Sequence, residues 1–375
     1  MSRASRHRRP AGIAILGLSL IELMVALTIG AFLVLGVTTV FIANKSSSEL
    51  ETSLARLQEN GRFALDLIAD DLYQTQYLGC NTGDVFLVDM INDPNSPGFS
   101  GTLEGIRGYE KFADGSWAPD PNLPAAMTTG TDPIRDFARD GSDVLGMRMN
   151  ERLATNLSSQ VLPASAAVNV VSNPGCALEQ GSRVVLTGCS LTAHLFRVTN
   201  TISCSAATAG NPASLEFDNS GNFTTSFNTS YDLDAELLLF EEAYCFVADT
   251  GRERNGQPVF ALYREVNGTR QEMIEGVENI QLKFGQLVDA AGSLRYVDPS
   301  DATLNTGLGY EGVRTVRFAI LLQAFDEVAD QVDTDNYRLI DVDIPASGSG
   351  AAHNGGRVLR KVFTRTINLR NAPEF

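Results

Sequence analysis

Histidine is scarce in this sequence, with only three residues among 375: His7, His194 and His353. No two of them have the spacing of metal ligands, and no nucleophile-elbow, phosphate-loop or dinucleotide-binding glycine motif lies between a strand and a helix. A catalytic cysteine needs a nearby base, which so little histidine can hardly supply. The composition therefore argues against an enzyme, and no catalytic residue or cofactor is predicted.

Basic residues are also in short supply, since acids outnumber bases 45 to 29 and the formal net charge is −16. Four of the arginines precede Gly17 in a segment without acids, so the rest of the chain is more acidic still. An acidic surface repels the phosphate backbone of DNA and RNA. We therefore expect no nucleic-acid partner.

Charge and proline are both missing from a long N-terminal stretch. Residues 18–43 contain one ionisable side chain, that of Glu22, and no proline occurs between Leu18 and Gly79. About 20 helical residues cross the apolar core of a bilayer, so this run is long enough to span. The arginines upstream predict a cytoplasmic N-terminus and export of the remainder.

Three ordinary interpretations of this run leave something unexplained. A secretory signal peptide has a shorter apolar core that ends at a small-residue cleavage site, and neither feature fits. A plain membrane anchor explains the length but not a carboxylate, which costs about 2.5–3.5 kcal/mol at a helix centre and less toward the end, where Glu22 lies. A buried helix of a soluble core is the third alternative.

A fourth interpretation accounts for the glutamate. The residues GLSLIE, from Gly17 to Glu22, resemble the cleavage motif of type IV prepilins, in which glutamate stands five positions after a glycine. The resemblance implies that a prepilin peptidase cuts between Gly17 and Leu18 and methylates the new amine of Leu18. It also implies that Glu22 pairs with the terminal amine of a neighbouring subunit and sets the axial register of the filament. A buried charge is costly unless an opposite charge lies close, which gives Glu22 a physical reason to be there.

The helix is predicted to continue beyond the apolar run. Apolar and small residues recur at spacings of three and four, which is typical of one helix face. The members of this stripe are Leu50, Leu54, Leu57, Gly61, Ala64, Ile68, Leu72 and Thr75. We expect this face to bury against a sheet, and Gly79 to stop the helix after Leu78.

The rest of the chain predicts mainly β-strands. Alternating or continuous apolar runs indicate strands in eight segments: 143–149, 182–188, 193–198, 235–248, 258–265, 276–285, 315–324 and 357–371. Two segments rich in turn-forming or small polar residues, 80–139 and 203–230, predict mostly loops.

The predicted fold class is α+β, with one long helix, a membrane half followed by an amphipathic half, packed on an antiparallel β-sheet domain. The predicted divisions are a leader at 1–17, a transmembrane or filament-core helix at 18–45, an amphipathic helix at 46–79 and a periplasmic β-rich domain at 80–375.

The C-terminal part of the sequence resembles one family among the type IV prepilins. The segments LYRE, IEGVENIQLKFG, VRTVRFAILLQA and KVFTRTINLRN, together with the N-terminus, resemble the PilW family of minor pilins. The resemblance implies a pilin fold and a structural subunit that primes assembly of type IV pili near the tip. Its implied partners are other minor pilins, the major pilin, a PilY-type adhesin, the prepilin peptidase and the inner membrane. J-class pseudopilins of type II secretion share this plan and remain the alternative.

The five cysteines all follow the apolar segment, so export would place them in an oxidising compartment where disulfides form. Cys176 and Cys189 bracket a short loop, and closing it contributes about 3 kcal/mol in the chain-entropy model. We expect that pair, and a second in which Cys80 joins Cys245 or Cys204. An odd count leaves at least one thiol unpaired.

An acidic cluster precedes the last strand. It consists of Asp326, Glu327, Asp330, Asp333, Asp335, Asp341 and Asp343. Asp333 and Asp335 have a spacing found in calcium loops, but the glycine and distal glutamate of an EF-hand are missing. A solvated acidic loop is the main interpretation, and a calcium site at Asp333 and Asp335 is the alternative.

Overall fold

A computed structural model describes most of the chain. The described residues are 19–79, 86–92, 105–119, 123–171, 177–189, 192–203, 212–289, 292–306, 309–347 and 352–372. The chain forms two compact units, Met1–Thr52 and Ser53–Phe375. The predicted leader at 1–17 and Leu18 lie outside the described residues.

The first element is a helix, α1, from Leu20 to Gln74. The predicted long helix is confirmed, but it ends before the stop expected at Gly79. Thr75 leaves the helix to form a β-bridge with Met149, and Gln76 adopts a left-handed φ of 60°. Gly79 also has a positive φ, 73°, but it lies in the turn that follows. Pairing with a distant strand therefore ends the helix earlier than the local pattern indicates.

The amphipathic stripe of α1 is buried from Leu57 onward. Its buried members are Leu57, Gly61, Ala64, Ile68, Leu72 and Thr75. Leu50 and Leu54, which begin the predicted stripe, are 39% and 40% exposed. The prediction that this face packs on a sheet is confirmed for the part of α1 within the second unit.

Strands make up most of the second unit. In chain order they are β1 (Phe86–Asp89), β2 (Ile106–Lys111), β3 (Trp117–Ala118), β4 (Val144–Arg152), β5 (Ala167–Val170), β6 (Ala177–Leu178), β7 (Arg183–Thr187), β8 (Thr192–Arg197), β9 (Ile202–Ser203), β10 (Ala213–Glu216), β11 (Glu236–Arg254), β12 (Gln257–Val266), β13 (Thr269–Glu275), β14 (Val277–Leu287), β15 (Leu294–Val297), β16 (Val313–Gln323), β17 (Tyr337–Leu339), β18 (Val342–Ile344) and β19 (Arg360–Asn368). Short helices α2 (Ala125–Thr128) and α3 (Ile134–Phe137) precede β4, and 3-10 turns at Ala302–Asn305 and Gly309–Gly312 precede β16. The eight predicted strands are confirmed as β4, β7, β8, β11, β12, β14, β16 and β19.

The larger sheet is organised around β11. This 19-residue strand pairs antiparallel with β4, β7 and β12. The main path of the sheet has the order β1-β8-β7-β11-β4-β2-β3. Off this path, β12 pairs with β11 and with β13. Because β1 and β8 run parallel, the predicted antiparallel sheet is a mixed one. A smaller, antiparallel sheet has the order β15-β14-β16-β19.

The two sheets and α1 share one hydrophobic core. From α1 it contains Leu57, Ala64, Ile68, Ala69 and Leu72. From the larger sheet it contains Leu145, Met147, Met149, Ala243, Cys245, Val247, Leu262 and Ile274, and from the smaller one Val277, Ile280, Leu282, Phe284, Val297, Val313, Val316, Phe318, Ile320, Leu322 and Ile367. Removing this apolar surface from water is the main force that holds the helix on the sheets.

Gly61 lets α1 approach β19 closely. A Cβ atom at this position would lie 2.4 Å from the Phe363 ring. Protein interiors are close-packed, so a larger residue would push the helix or the ring away. This close contact offsets the cost of glycine in a helix, which is about 1 kcal/mol relative to alanine.

The segment that precedes β4 joins the two sheets. The Asp143 N–H donates to the Ile280 carbonyl at 2.9 Å, and the Leu282 N–H donates to Asp143 Oδ2 at 2.7 Å. Ser142 Oγ accepts from the Ile280 N–H at 3.1 Å. Burial raises the pKa of the Asp143 carboxyl well above its usual range. The smaller sheet is thus bonded to the larger one through backbone and side-chain groups as well as through the core.

A second core lies around β5, β7, β8 and β10. His194 on β8, where a strand was predicted, packs edge-on against the Phe227 and Tyr231 rings of this core. The imidazole is fully buried, and its Nε2 accepts from the Asn228 N–H at 3.2 Å. Nδ1 lies within hydrogen-bond distance of the Tyr231 hydroxyl, which donates to the Thr192 carbonyl at 3.3 Å. Both ring nitrogens therefore have hydrogen-bond partners when the imidazole is neutral. Protonation would remove the acceptor at Nε2.

Acidification is expected to destabilise this core through His194. Burial lowers the pKa of His194 from 6.5 to about 4. Between these values the unfolded chain binds a proton that the folded chain does not, so stability is full above pH 6.5 and falls as the pH drops toward 4. The loss attributable to this residue is about 3 kcal/mol. Urea unfolding of wild type and His194→Gln at pH 7.5 and pH 4.5 measures it, because Gln can keep both hydrogen bonds without titrating. Equal pH dependence in the two proteins would contradict the assignment.

Candidate functional site

The N-terminal helix begins with a reciprocal cap. The Ser19 N–H donates to Glu22 Oε2 at 3.2 Å, and the Glu22 N–H donates to Ser19 Oγ at 3.2 Å. This is a capping box, which satisfies two backbone donors that a helix start leaves free. It also holds a carboxylate at the positive end of the helix dipole. Glu22 is therefore fixed at the start of α1, close in sequence to the predicted cleavage bond.

The first half of α1 exposes apolar side chains along its length. Its large apolar residues from Leu20 to Ile42 are each more than half exposed, with Leu20 at 78% and Val25 at 51%. Of the described helices, α1 is the one long and apolar enough to cross a membrane. An apolar surface of this extent requires lipid or other apolar helices around it. The prediction of a membrane-spanning or filament-core helix agrees with this exposure.

Polar side chains within this half are satisfied inside the helix. Thr28 Oγ1 donates to the Met24 carbonyl at 3.0 Å, and Thr38 Oγ1 donates to the Val34 carbonyl at 2.7 Å. A hydroxyl bonded to its own helix backbone does not need water. These threonines are therefore compatible with an apolar surrounding.

The proposed cleavage residues Gly17 and Leu18 lie outside the described residues, so their roles stay predictions. Glu22 is described and exposed, and its partner within the chain is Ser19. The sequence analysis missed Ser19. Its signal was present, because Ser19 and Glu22 have the S-x-x-E spacing of a capping box ahead of an apolar run.

Charged side chains fasten the second half of α1 to the sheets. Arg264 on β12 makes a bidentate ion pair with Asp71 of α1, at 2.7 and 3.0 Å. Arg365 on β19 pairs with Asp66 one turn earlier. Asn371 Nδ2 donates to the Thr75 carbonyl at 2.9 Å, next to the helix end. These contacts add directional bonds to the apolar packing between the helix and the sheets.

A charge network with a fully buried pair at its centre lies within the smaller sheet and its loops. Arg360 on β19 donates to both carboxylate oxygens of Glu278 on β14, at 2.7 and 3.1 Å. Its other nitrogen donates to Asp333 Oδ2 at 3.0 Å, which Tyr337 Oη also approaches at 2.9 Å. Arg139 donates to the Glu278 carbonyl and lies over the Phe260 ring. The predicted strands did not indicate this network, because its members are far apart in sequence.

Asp333 is an ion-pair partner of Arg360. Hydrogen bonds from Arg360, Tyr337 and the Asp335 N–H hold the pKa of Asp333 below its usual range against the opposing effect of burial. Within the described ranges, no group of three or more His, Cys, Asp or Glu side chains could hold a metal ion. A guanidinium already balances the Asp333 charge, and the alternative of calcium at Asp333 and Asp335 stays a prediction.

Other members of the acidic cluster also have basic neighbours. Asp341 pairs with Lys283 at 2.5 Å, and Asp343 lies 3.5 Å from Arg338. Asp326 lies 3.9 Å from Arg56 of α1. The interpretation as a solvated acidic loop is therefore incomplete, because part of the cluster ties this loop to the helix and the sheet.

One expected disulfide partner among the cysteines is corrected by the structure. Cys245 is a free thiol buried in the shared core on β11, and burial raises its pKa. The expectation that Cys80 pairs with Cys245 is therefore wrong, which leaves Cys204 as the other partner considered. Cys189 is disulfide-bonded. Its expected partner Cys176, like Cys80 and Cys204, lies outside the described residues, so the pairing Cys176–Cys189 stays a prediction.

Comparison with known proteins gives one family. Residues 252–371 match the family model described as PilW, Type IV Pilus-assembly protein W. No curated protein and no solved structure matches the chain. The matched segment runs from the end of β11 through β19, and it contains the sheet-side partners of the helix, Arg264, Arg365 and Asn371, as well as the buried pair of Glu278 and Arg360. The C-terminal third of the chain, residues 252–371, is therefore similar to a family described as acting in type IV pilus assembly.

Proposed function

We propose that this chain is a minor pilin, a non-enzymatic structural subunit that helps to prime the assembly of type IV pili. The observation that carries the proposal is one continuous helix, with an exposed apolar first half and a second half buried on a PilW-family sheet domain. The apolar half would lie in the inner membrane before assembly and in the filament core afterwards. The sheet domain would lie in the periplasm and then on the pilus.

The proposed partners follow from the same reasoning. The apolar half would pack against the corresponding helices of other minor pilins and of the major pilin. We place the subunit near the pilus tip with a PilY-type adhesin, where it would support adhesion and twitching motility. Glu22 is proposed to meet a terminal amine of a neighbouring subunit, since an uncompensated charge in a dry helical bundle is costly.

Processing of the N-terminus is the first test. A prepilin peptidase is expected to cut between Gly17 and Leu18 and to methylate Leu18. Intact-mass analysis of the membrane-extracted chain should therefore show loss of residues 1–17 and one added methyl group. Gly17→Val should abolish the cut, because a β-branched side chain replaces the glycine next to the scissile bond.

Gly12→Val is the matched control, because position five after Gly12 is Gly17 rather than an acid. This variant should be processed normally. A wild-type chain that retains residues before Leu18 in a cell with an active peptidase would refute the proposed processing. Deletion of the gene for this chain should abolish surface pili and leave type II secretion intact. Loss of secretion with normal pili would favour a J-class pseudopilin.

A further inference from the structure

β19 forms an edge of the smaller sheet. It pairs with β16 along all nine residues without a register shift, and among the described strands it has no second neighbour. A long edge strand presents a row of backbone N–H and C=O groups that can pair with another strand. Proteins protect such edges with proline, bulges, short length or charged side chains. β19 is nine residues long without proline or a bulge, but it carries Lys361 and the inward-pointing Arg360. The backbone geometry of this edge thus permits strand addition, and its cations restrict which strand can pair.

Both faces of β19 pack against other parts of the chain. Phe363 packs over Gly61 of α1, and Arg365 is paired with Asp66. On the opposite face, Val362 packs on the β17–β18 hairpin. Thr364 and Thr366 are exposed, whereas Ile367 near the end of the strand is buried in the shared core. The strand is thus held in an extended conformation before any partner arrives, which lowers the entropic cost of binding.

The edge is also basic in a strongly acidic chain. Residues 357–371 contain five Lys or Arg and no acid, against a net charge of −16 for the whole sequence. Two of the five, Arg360 and Arg365, are paired with carboxylates of this chain. Lys361 is exposed near the start of β19, and Arg370 is exposed two residues beyond its end. Lys361 lies 5.6 Å from the centre of the Phe363 ring and Arg370 4.1 Å from that of Tyr73, and neither forms an ion pair among the described residues. The charges of these two cations are therefore available to an acidic partner.

We propose that the β19 edge docks an extended, acidic segment of another pilus subunit, which adds a fifth strand to the sheet. Main-chain hydrogen bonds would supply the general affinity, and Lys361 and Arg370 would select Asp or Glu near the ends of the added strand. Edge-to-edge pairing of two copies is disfavoured, because it would bring the same cations together. This inference rests on the proposed function as a pilus subunit.

Photocrosslinking in cells tests this docking. The full chain carries a photoreactive amino acid at Thr366, on the edge, or at Glu253, which is exposed on β11. The expected result is an adduct from Thr366 alone, whose cross-linked peptide maps to an Asp- or Glu-rich segment of another pilin or of the adhesin. Lys361→Glu should reduce that adduct about fivefold, because it replaces an exposed attraction by a repulsion. Val288→Glu, an exposed change at the end of β14, should leave the adduct unchanged.

The remaining outcomes overturn the inference. One is the absence of any adduct from Thr366. A second is an adduct to lipid, to a second copy of this chain, or to a neutral or basic segment. A third is an adduct whose yield Lys361→Glu does not reduce. Counting surface pili in the same strains separates the two proposals. If deletion of the gene abolishes surface pili but Lys361→Glu leaves the Thr366 adduct unaltered, only the proposed docking at the β19 edge is rejected. Normal pili on deletion would reject the proposed function itself.

Discussion

Replacing Glu278 by alanine is expected to lower the free energy of unfolding by about 3 kcal/mol, the lower end of the cost of breaking a buried ion pair, because Asp333 still pairs with Arg360. Glu278 and Arg360 are both fully buried, and two hydrogen bonds join them. Removal of the carboxylate would leave the Arg360 guanidinium with Asp333 as its remaining carboxylate partner. A folded domain has about 5–15 kcal/mol of stability, so this change consumes a large share of it.

The measurement is urea unfolding of the detergent-solubilised chain, followed by fluorescence of Trp117, which is the single tryptophan and is buried. Asp343→Ala is the matched control, because it removes an ion pair whose two side chains are more than 60% exposed. Such a pair contributes about 0–1 kcal/mol. Glu278→Gln should fall between the two, since it keeps the shape and one acceptor. Equal stability of Glu278→Ala and Asp343→Ala would mean that the buried network does not hold the sheet domain together.

Replacing Glu22 by alanine is expected to weaken assembly while leaving the sheet domain intact. In a filament core the terminal amine of a neighbouring subunit would lose its counter-charge, at a cost on the order of 3–5 kcal/mol if the site is fully dry. Water in the membrane region would reduce this several-fold. Loss of the capping box adds about 1 kcal/mol of local helix destabilisation. The expected result is fewer surface pili and weaker co-purification with other pilins from membranes.

Ser19→Ala separates the two roles of Glu22. It removes the hydroxyl that caps the helix but keeps the Glu22 carboxylate. It should therefore destabilise only the first turn of α1, and Glu22 can still pair with a neighbouring amine. Glu22→Gln should resemble Glu22→Ala in assembly, because it keeps the shape and removes the charge. Intact mass establishes whether each variant is still cleaved. Wild-type numbers of pili and full co-purification for Glu22→Ala would remove Glu22 from assembly and leave it, at most, a signal for the peptidase.

Local patterns in the sequence were sufficient for the main elements. The α1 helix and eight strands follow from hydrophobic periodicity, because a repeat of 3.6 or 2 residues is what each element needs to bury one face. The same periodicity predicted Leu57, Ala64, Ile68 and Leu72 as the buried face of the helix, and the structure confirms them. The resemblance to the PilW family was likewise carried by the strand segments that the family match covers.

Pairings between distant residues were decided by the tertiary structure. The helix ends at Gln74 rather than near Gly79 because Thr75 pairs with Met149, and no local signal reports such a contact. Cys245 was a plausible disulfide partner in sequence, but its place on β11 faces the core, where it packs as an apolar residue. Asp333 was predicted mainly as part of a solvated acidic loop, but in the structure it forms an ion pair with Arg360.

The sequence by itself determined the apolar half-helix with its single glutamate, the amphipathic continuation and the strand-rich remainder, because composition and periodicity are local properties of the chain. Only the tertiary structure decided which charges are paired and which edge is left open. Arg360 and Arg365 are matched with Glu278 and Asp66, whereas Lys361 is not matched among the described residues. The physical reason is that a charge's partner and a strand's neighbour depend on how segments far apart in the chain meet in the fold, which no spacing along the sequence encodes.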